Sequence, residues 1–283
     1  MASDDSLYTY IQRRYVISLE EVQALIANGS DPNYVHPTTG FTPLLLLCRP
    51  DYQNHTNALR VIRYLLHLPN IQLNIHTDRM TLLHHMTLVP NSAFLYMLLK
   101  EDVDYNGDIN ALCFRGLTAL NMACDRRSRI PIENIQYLLD AGADCNIQDP
   151  DGLTPLHTLL IHGANNNDTV PIMNMLLRYN SVDLSIRDRA GNTALHLAIR
   201  LNNENICTIL LKGGANPGDI NAQGESGTLM AEDFPEAHEA IQRSLKAKWT
   251  AYSMITHGRL GQGTPGHSLH PEVQDLIMHS MHA

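Results

Sequence analysis

Apolar residues recur along this chain in short helical blocks that come in pairs, divided by polar turns. The first block of a pair opens on a repeated pattern: Gly, any residue, Thr, then Pro or Ala, then Leu. It reads Gly40-Phe41-Thr42-Pro43-Leu44, Gly116-Leu117-Thr118-Ala119-Leu120, Gly152-Leu153-Thr154-Pro155-Leu156-His157 and Gly191-Asn192-Thr193-Ala194-Leu195-His196. A weaker copy is Arg79-Met80-Thr81-Leu82-Leu83-His84, and a degenerate one is Gly224-Glu225-Ser226-Gly227-Thr228. The Thr or Ser positions 42, 81, 118, 154, 193 and 226 are separated by 39, 37, 36, 39 and 33 residues. The second block ends in Leu-Leu and then usually Gly with Asn or Asp, as in Leu138-Leu139-Asp140-Ala141-Gly142-Ala143-Asp144 and Leu210-Leu211-Lys212-Gly213-Gly214-Ala215-Asn216. An N-terminal Leu25-Ile26-Ala27-Asn28-Gly29-Ser30-Asp31 stretch has the second block without the first motif and reads as the second half of a capping repeat.

Each unit predicts a helix–turn–helix. Thr154 suits a helix N-cap and Pro155 the first helical position, where no N–H is needed. The spacing predicts a helix over 154–162 and a second over 170–179, with Ile172, Met175, Leu176 and Leu177 on one face. Gly142 suits a left-handed residue just beyond the equivalent helix. Asp149-Pro150-Asp151-Gly152 is a tight polar turn that would project as a fingertip. One such unit cannot bury its apolar stripe alone, but stacked neighbours can.

The segments Asp149–His157 and Asp188–His196, with the Leu-Leu-x-x-Gly-Ala-Asp/Asn segments that follow, resemble ankyrin repeats, and the resemblance covers about residues 18–245. It implies an all-α fold: an α-solenoid of stacked helix-turn-helix units with projecting β-hairpin or turn fingers. It also implies a protein-binding role on a concave side formed by the finger turns and first helices. The expected organisation is an N-terminal cap segment 1–17, an ankyrin-repeat domain 18–248 of about six repeats plus the N-terminal half repeat, and a flexible tail 249–283 ending in a short helix from Pro271 to about Met281. The sequence departs from the pattern at Arg79, which replaces a glycine and predicts a rearranged turn. Extra residues fall between helices at 50–57, 126–131 and 163–171, and in a longer finger loop at 101–110.

Composition narrows the function. Hydrophobic residues make up 44% and charged residues 17%, so the chain can bury a core. A net charge of -9 argues against nucleic acid or an anionic membrane as partner. Five cysteines without a Cys-x-x-Cys pair read as buried free thiols, not as disulfides or a zinc site. The polar, acidic start is not a signal peptide, and no stretch approaches the roughly 18 apolar residues of a membrane span. A monomer in the cytoplasm, or in the nucleus, is expected.

Fifteen histidines invite a metal reading. However, His84, His157 and His196 sit at equivalent repeat positions, where bonding a neighbouring unit's turn explains them, and the tail histidines are dispersed. No catalytic set, phosphate loop or cofactor site stands out, so neither an enzyme nor a cofactor is expected. The variable finger turns on a fixed frame are the candidate binding surface: Thr38, Asp78, Arg79, Phe114, Arg115, Asp149, Asp151, Asp188 and Arg189, with Phe114 and Arg115 the most anchor-like pair. The leading expectation is a scaffold or adaptor holding another protein. The tail stretch Leu269–Ile277 resembles the opening of an F-box, which would imply a substrate-recruiting subunit of a ubiquitin ligase. A third reading places an enzyme site among the insertions.

Overall fold

The computed structural model describes residues 6–14, 16–49, 56–73, 80–101, 103, 105–127, 130–163, 166–179 and 182–259. They divide into two units, residues 1–241 and 242–283. The described residues of unit 1 form helices only: α1 Ser6–Arg13, α2 Leu19–Ala27, α3 Pro43–Leu47, α4 Thr56–Leu66, α5 Leu82–Leu88, α6 Ser92–Leu99, α7 Ala119–Cys124, α8 Ile132–Asp140, α9 Pro155–Gly163, α10 Thr169–Arg178, α11 Ala194–Arg200, α12 Glu204–Lys212, α13 Gly227–Met230 and the start of α14, Pro235–Arg259. In the second unit the described residues continue α14 to Arg259, so the first part of the tail expected to be flexible, 249–259, is helical.

The helices stack in two rows. First helices pack in series, with α1 on α3, α5 on α7, α7 on α9, α9 on α11 and α11 on α13. Second helices do the same, from α2 on α4 to α8 on α10. The N-terminal half repeat is completed by α1, which packs on α2 and α3 as a first helix although it lacks the Thr-Pro-Leu motif. Its signal is instead Leu7, Tyr8 and Ile11, all buried.

The repeated Thr caps every first helix where the sequence placed it. Thr42, Thr81, Thr118 and Ser226 accept from the backbone N–H three residues on, as Thr154 does from His157 at 3.4 Å. Helix α3 is buried on all sides, Pro43 to Leu47, which is why its sequence is apolar without a polar face. In α10 the buried side is Thr169, Ile172, Met173 and Leu176, while Met175 and Leu177 are half-buried. The expected face was therefore rotated by part of a turn, because the helix starts at Thr169 and Met173 points inward. Gly142 has φ +89°, and the N–H groups of Gly142 and Ala143 donate to the carbonyls of Leu139 and Leu138, closing α8.

The loops after the second helices lock neighbouring units through asparagines. The Oδ1 atoms of Asn33, Asn110 and Asn146 accept from the N–H groups of Gln72, Asp144 and Asp183, each at 2.8 Å. These bonds satisfy loop amides that would otherwise compete with the stack for water.

Candidate functional site

The fingers are turns, and no strand forms among the described residues; a bridge pairs Ile220 with Ser226. In three successive fingers the first residue of the turn donates to the fifth and accepts from the fourth. The pairs are Cys113 with Leu117 and Gly116, Asp149 with Leu153 and Gly152, and Asp188 with Asn192 and Gly191. The carboxylates of Asp149 and Asp188 turn inward. Asp149 Oδ1 accepts from the N–H groups of Asp151 and Leu153, and Asp188 Oδ1 from those of Ala190 and Asn192. Their role in the geometry is to hold the turn.

Each finger is also held by the first helix before it. His157 Nε2 bonds the carbonyl of Asn192 at 3.3 Å, His84 Nε2 that of Leu117 at 3.1 Å, and His196 Nε2 that of Glu225 at 3.3 Å. A carbonyl only accepts, so Nε2 carries the proton and Nδ1 is left to accept from the capping threonine. Asn121 does the same work in the third full repeat, donating to the carbonyl of Leu153 at 3.2 Å. Burial lowers the pKa of His157 and of His196, which keeps this neutral tautomer. The expected structural role of these histidines is what the geometry displays.

Neighbouring fingers touch through backbone. The Arg189 N–H donates to the carbonyl of Asp151 and that of Ala222 to the carbonyl of Ala190, both at 3.1 Å. Gly191 has φ +76°, and a Cβ there would lie 2.5 Å from the Ala222 nitrogen, so only glycine allows both the turn and the approach.

On this frame Thr38 stands exposed on the first tip, its hydroxyl 3.1 Å from His36 Nδ1. Phe114 and Arg115 are exposed on the third tip. Asp151 and Arg189 meet across two tips at 3.4 Å, both about 70% exposed, an ion pair of little energetic weight. Asp78 and Arg79 lie outside the described residues, as does the F-box-like stretch Leu269–Ile277. Apart from Phe114, sequence reasoning missed the apolar part of this surface. The exposed large hydrophobic residues are Val35, Leu112, Phe114 and Ile220 on the fingers, Ile161 and Leu229 on first helices, and only Val16 and Tyr96 elsewhere among the described residues. Leu112 and Ile220 each directly precede the first residue of a turn, a register legible once the fingers are aligned.

The other faces are occupied differently. Across the second helices Lys100 Nζ pairs with Asp140 at 2.8 Å, and Asp140 accepts from Tyr179 and Gln136. The inserted loops of two repeats are joined by Arg126, whose guanidinium bonds the carbonyl of Ile130 and the carboxylate of Asp168. No group of three or more His, Cys, Asp or Glu placed to hold a metal occurs among the described residues. No helix among them is long and apolar enough to cross a membrane.

Stacked helix pairs with turns locked edge to edge define a helical-repeat protein. Residues 126–223 match the family model for ankyrin repeats in three copies. The chain thus contains ankyrin repeats, and such repeats indicate a protein–protein interaction module. Among curated relatives, it is 34% identical over 109 residues to the human transient receptor potential cation channel subfamily A member 1, covering 38% of this chain and 9% of that protein. It is 32% identical over 162 residues to the ankyrin repeat protein FPV031 of fowlpox virus (strain NVSL), covering 55% of this chain and 44% of that protein. The chain thus spans less than half the length of either relative. Among solved structures it resembles the ankyrin repeat domain of Bcl-3, a member of the IkappaB protein family, with a TM-score of 0.64, 21% identity, and coverage of 83% of this chain and 96% of that one. That likeness establishes the fold. Ankyrin-repeat homologues are typically non-enzymatic interaction scaffolds.

Proposed function

We propose that this chain is a scaffold or adaptor that holds a partner protein along the finger tips and the neighbouring exposed face of the first helices. The observation that carries the reading is the distribution of exposed apolar side chains. Six of the eight large ones among the described residues lie on fingers or first helices, and the second-helix row carries a polar and ionic network instead. Exposed apolar groups on a rigid frame lose little entropy when covered, and each is available for desolvation by a partner. Phe114, 59% exposed beside Arg115, is the anchor expected to weigh most.

The test is to purify the chain with its cellular partner and map the interface by hydrogen exchange. Protection is expected at 112–116, 148–152 and 187–191. Protection confined to α6, α8 and α10, with the fingers unchanged, would refute this assignment.

A further inference from the structure

The last finger of unit 1, Asn221–Glu225, is built like its predecessors. Asn221 donates to the carbonyl of Glu225 and accepts from Gly224, and its Oδ1 takes the N–H groups of Gln223 and Glu225. What differs is the surface beyond it. A Cβ on Gly152 or Gly191 would meet the backbone of the following finger within 2.9 or 2.5 Å, whereas nothing lies within 4 Å at Gly224. The residue three beyond the helix cap is buried in every earlier repeat, with Leu45 and His84 at 0%, Asn121 and His196 at 1% and His157 at 2% exposure. Its counterpart after Ser226 is Leu229, at 52%. Leu45 shows that an apolar side chain at this position is fully buried when it is covered. Gln223 stands in the register of Asp151 and Ala190, whose carbonyls each accept the N–H of the following finger.

The sequence around this open position is acidic, and Arg187 of the preceding finger reaches in only as far as the Ile220 carbonyl, at 2.6 Å, and Asp219, at 3.8 Å. Between Lys212 and Arg243 there is no Lys or Arg, while Asp219, Glu225, Glu232, Asp233, Glu236 and Glu239 all fall within it. Glu232, Asp233 and Glu236 are exposed, the first two only three and four residues beyond Leu229. Exposed carboxylates a few residues beyond an exposed apolar side chain favour cationic segments and disfavour acidic ones.

We propose that this end of the stack binds a basic segment of another protein in the place a further finger would take. An apolar side chain of the segment would cover Leu229, its Lys or Arg residues would face Glu232, Asp233 and Glu236, and a backbone N–H would donate to the carbonyl of Gln223. Leu229 belongs to both surfaces, but Phe114 is no part of this site, so Phe114→Ala tests the first assignment and Leu229→Gln with the basic peptide tests the second.

The test uses the full chain and three labelled decapeptides, alternating Lys with Leu, Lys with Gly, and Glu with Leu, followed by fluorescence anisotropy. The Lys/Leu peptide is expected to bind at least tenfold more tightly than the Lys/Gly peptide, with no binding of the Glu/Leu peptide. Leu229→Gln should weaken Lys/Leu binding at least tenfold, Leu229→Met should retain it, and Phe114→Ala should leave it unchanged. Because Leu229 is exposed, urea midpoints of both Leu229 variants should match the parent; Leu229→Met keeps the comparison valid if the Gln variant is destabilised. Equal binding of the Lys/Gly peptide, or wild-type affinity in Leu229→Gln, would overturn the proposal. So would concentration-dependent self-association in sedimentation that Leu229→Gln abolishes, since a second copy would then be the occupant.

Discussion

Individual side chains do two kinds of work in this stack, and titration separates them. His85, packed edge-on against Phe41 with ring centroids 5.6 Å apart, has its pKa lowered to about 4 by burial and, secondarily, by His84. A histidine whose folded pKa lies below its unfolded value of about 6.5 contributes full stability above pH 6.5 and loses it as pH falls toward 4. His157 and His196 shift in the same direction, again through burial. At pH 5 the loss from His85 alone is about 2 kcal/mol. Urea midpoints should therefore fall between pH 7.5 and pH 5, and fall less in His85→Gln; an unchanged pH dependence in that variant would remove His85 from the account. Cysteines give a second prediction. All five are buried, and burial pushes the thiols of Cys48 and Cys207 up to about 12 and that of Cys145 to about 11, while that of Cys124 is also raised. Since the thiolate is the reactive form, labelling by a disulfide reagent should be slow in the native protein and complete only in denaturant.

At the scale of the element, the sequence announces its helices through their ends more reliably than through their faces. The threonine caps, Pro43 and Pro155 at helix starts, and Gly142 beyond α8 are local requirements of the backbone, so a single sequence shows them. The face of α10 was legible only in part, because Ile172, Met173, Met175, Leu176 and Leu177 offer more apolar positions than one stripe needs, and packing against α8 and α9 selects among them. Helix α1 was missed as the partner of α2 for a related reason: it has no cap motif, and its membership rests on Leu7, Tyr8 and Ile11 finding a surface in α3. Two glycines test the argument about turns. Gly142→Ala faces only the left-handed conformation, with nothing within 4 Å of the new methyl, and should cost about 1 kcal/mol. Gly191→Ala adds a clash with the Ala222 nitrogen and should cost about 2–3 kcal/mol. Chemical denaturation of the two variants checks the order; equal losses would mean that finger-to-finger contact adds nothing.

For the molecule as a whole, repetition made the fold readable and left the binding surface less so. The period, the capping residues and the His84, His157 and His196 positions recur and so stand out. The surface residues differ from unit to unit, and their value depends on exposure. Asp149 and Asp188 look like free fingertip charges in the sequence, yet the folded turn consumes their carboxylates, whereas Leu112 and Ile220 look like core residues and are more than half exposed. The stability of such an array is close to a sum of neighbouring interfaces, so an exposed tip can be changed without loosening the stack.

The decisive measurement is therefore a comparison of affinities for the co-purified partner by titration calorimetry, between the parent chain, Phe114→Ala on the finger row and Tyr96→Ala on the second-helix row, where Tyr96 is 43% exposed. Phe114→Ala should keep the parent's unfolding free energy to within about 0.5 kcal/mol, and Tyr96→Ala, which loses its edge contact with Tyr137 at 5.5 Å between ring centroids, should lose about 1 kcal/mol and stay folded. The account predicts at least a tenfold loss of affinity for Phe114→Ala and no change for Tyr96→Ala. Unchanged binding in Phe114→Ala together with a loss in Tyr96→Ala would contradict it.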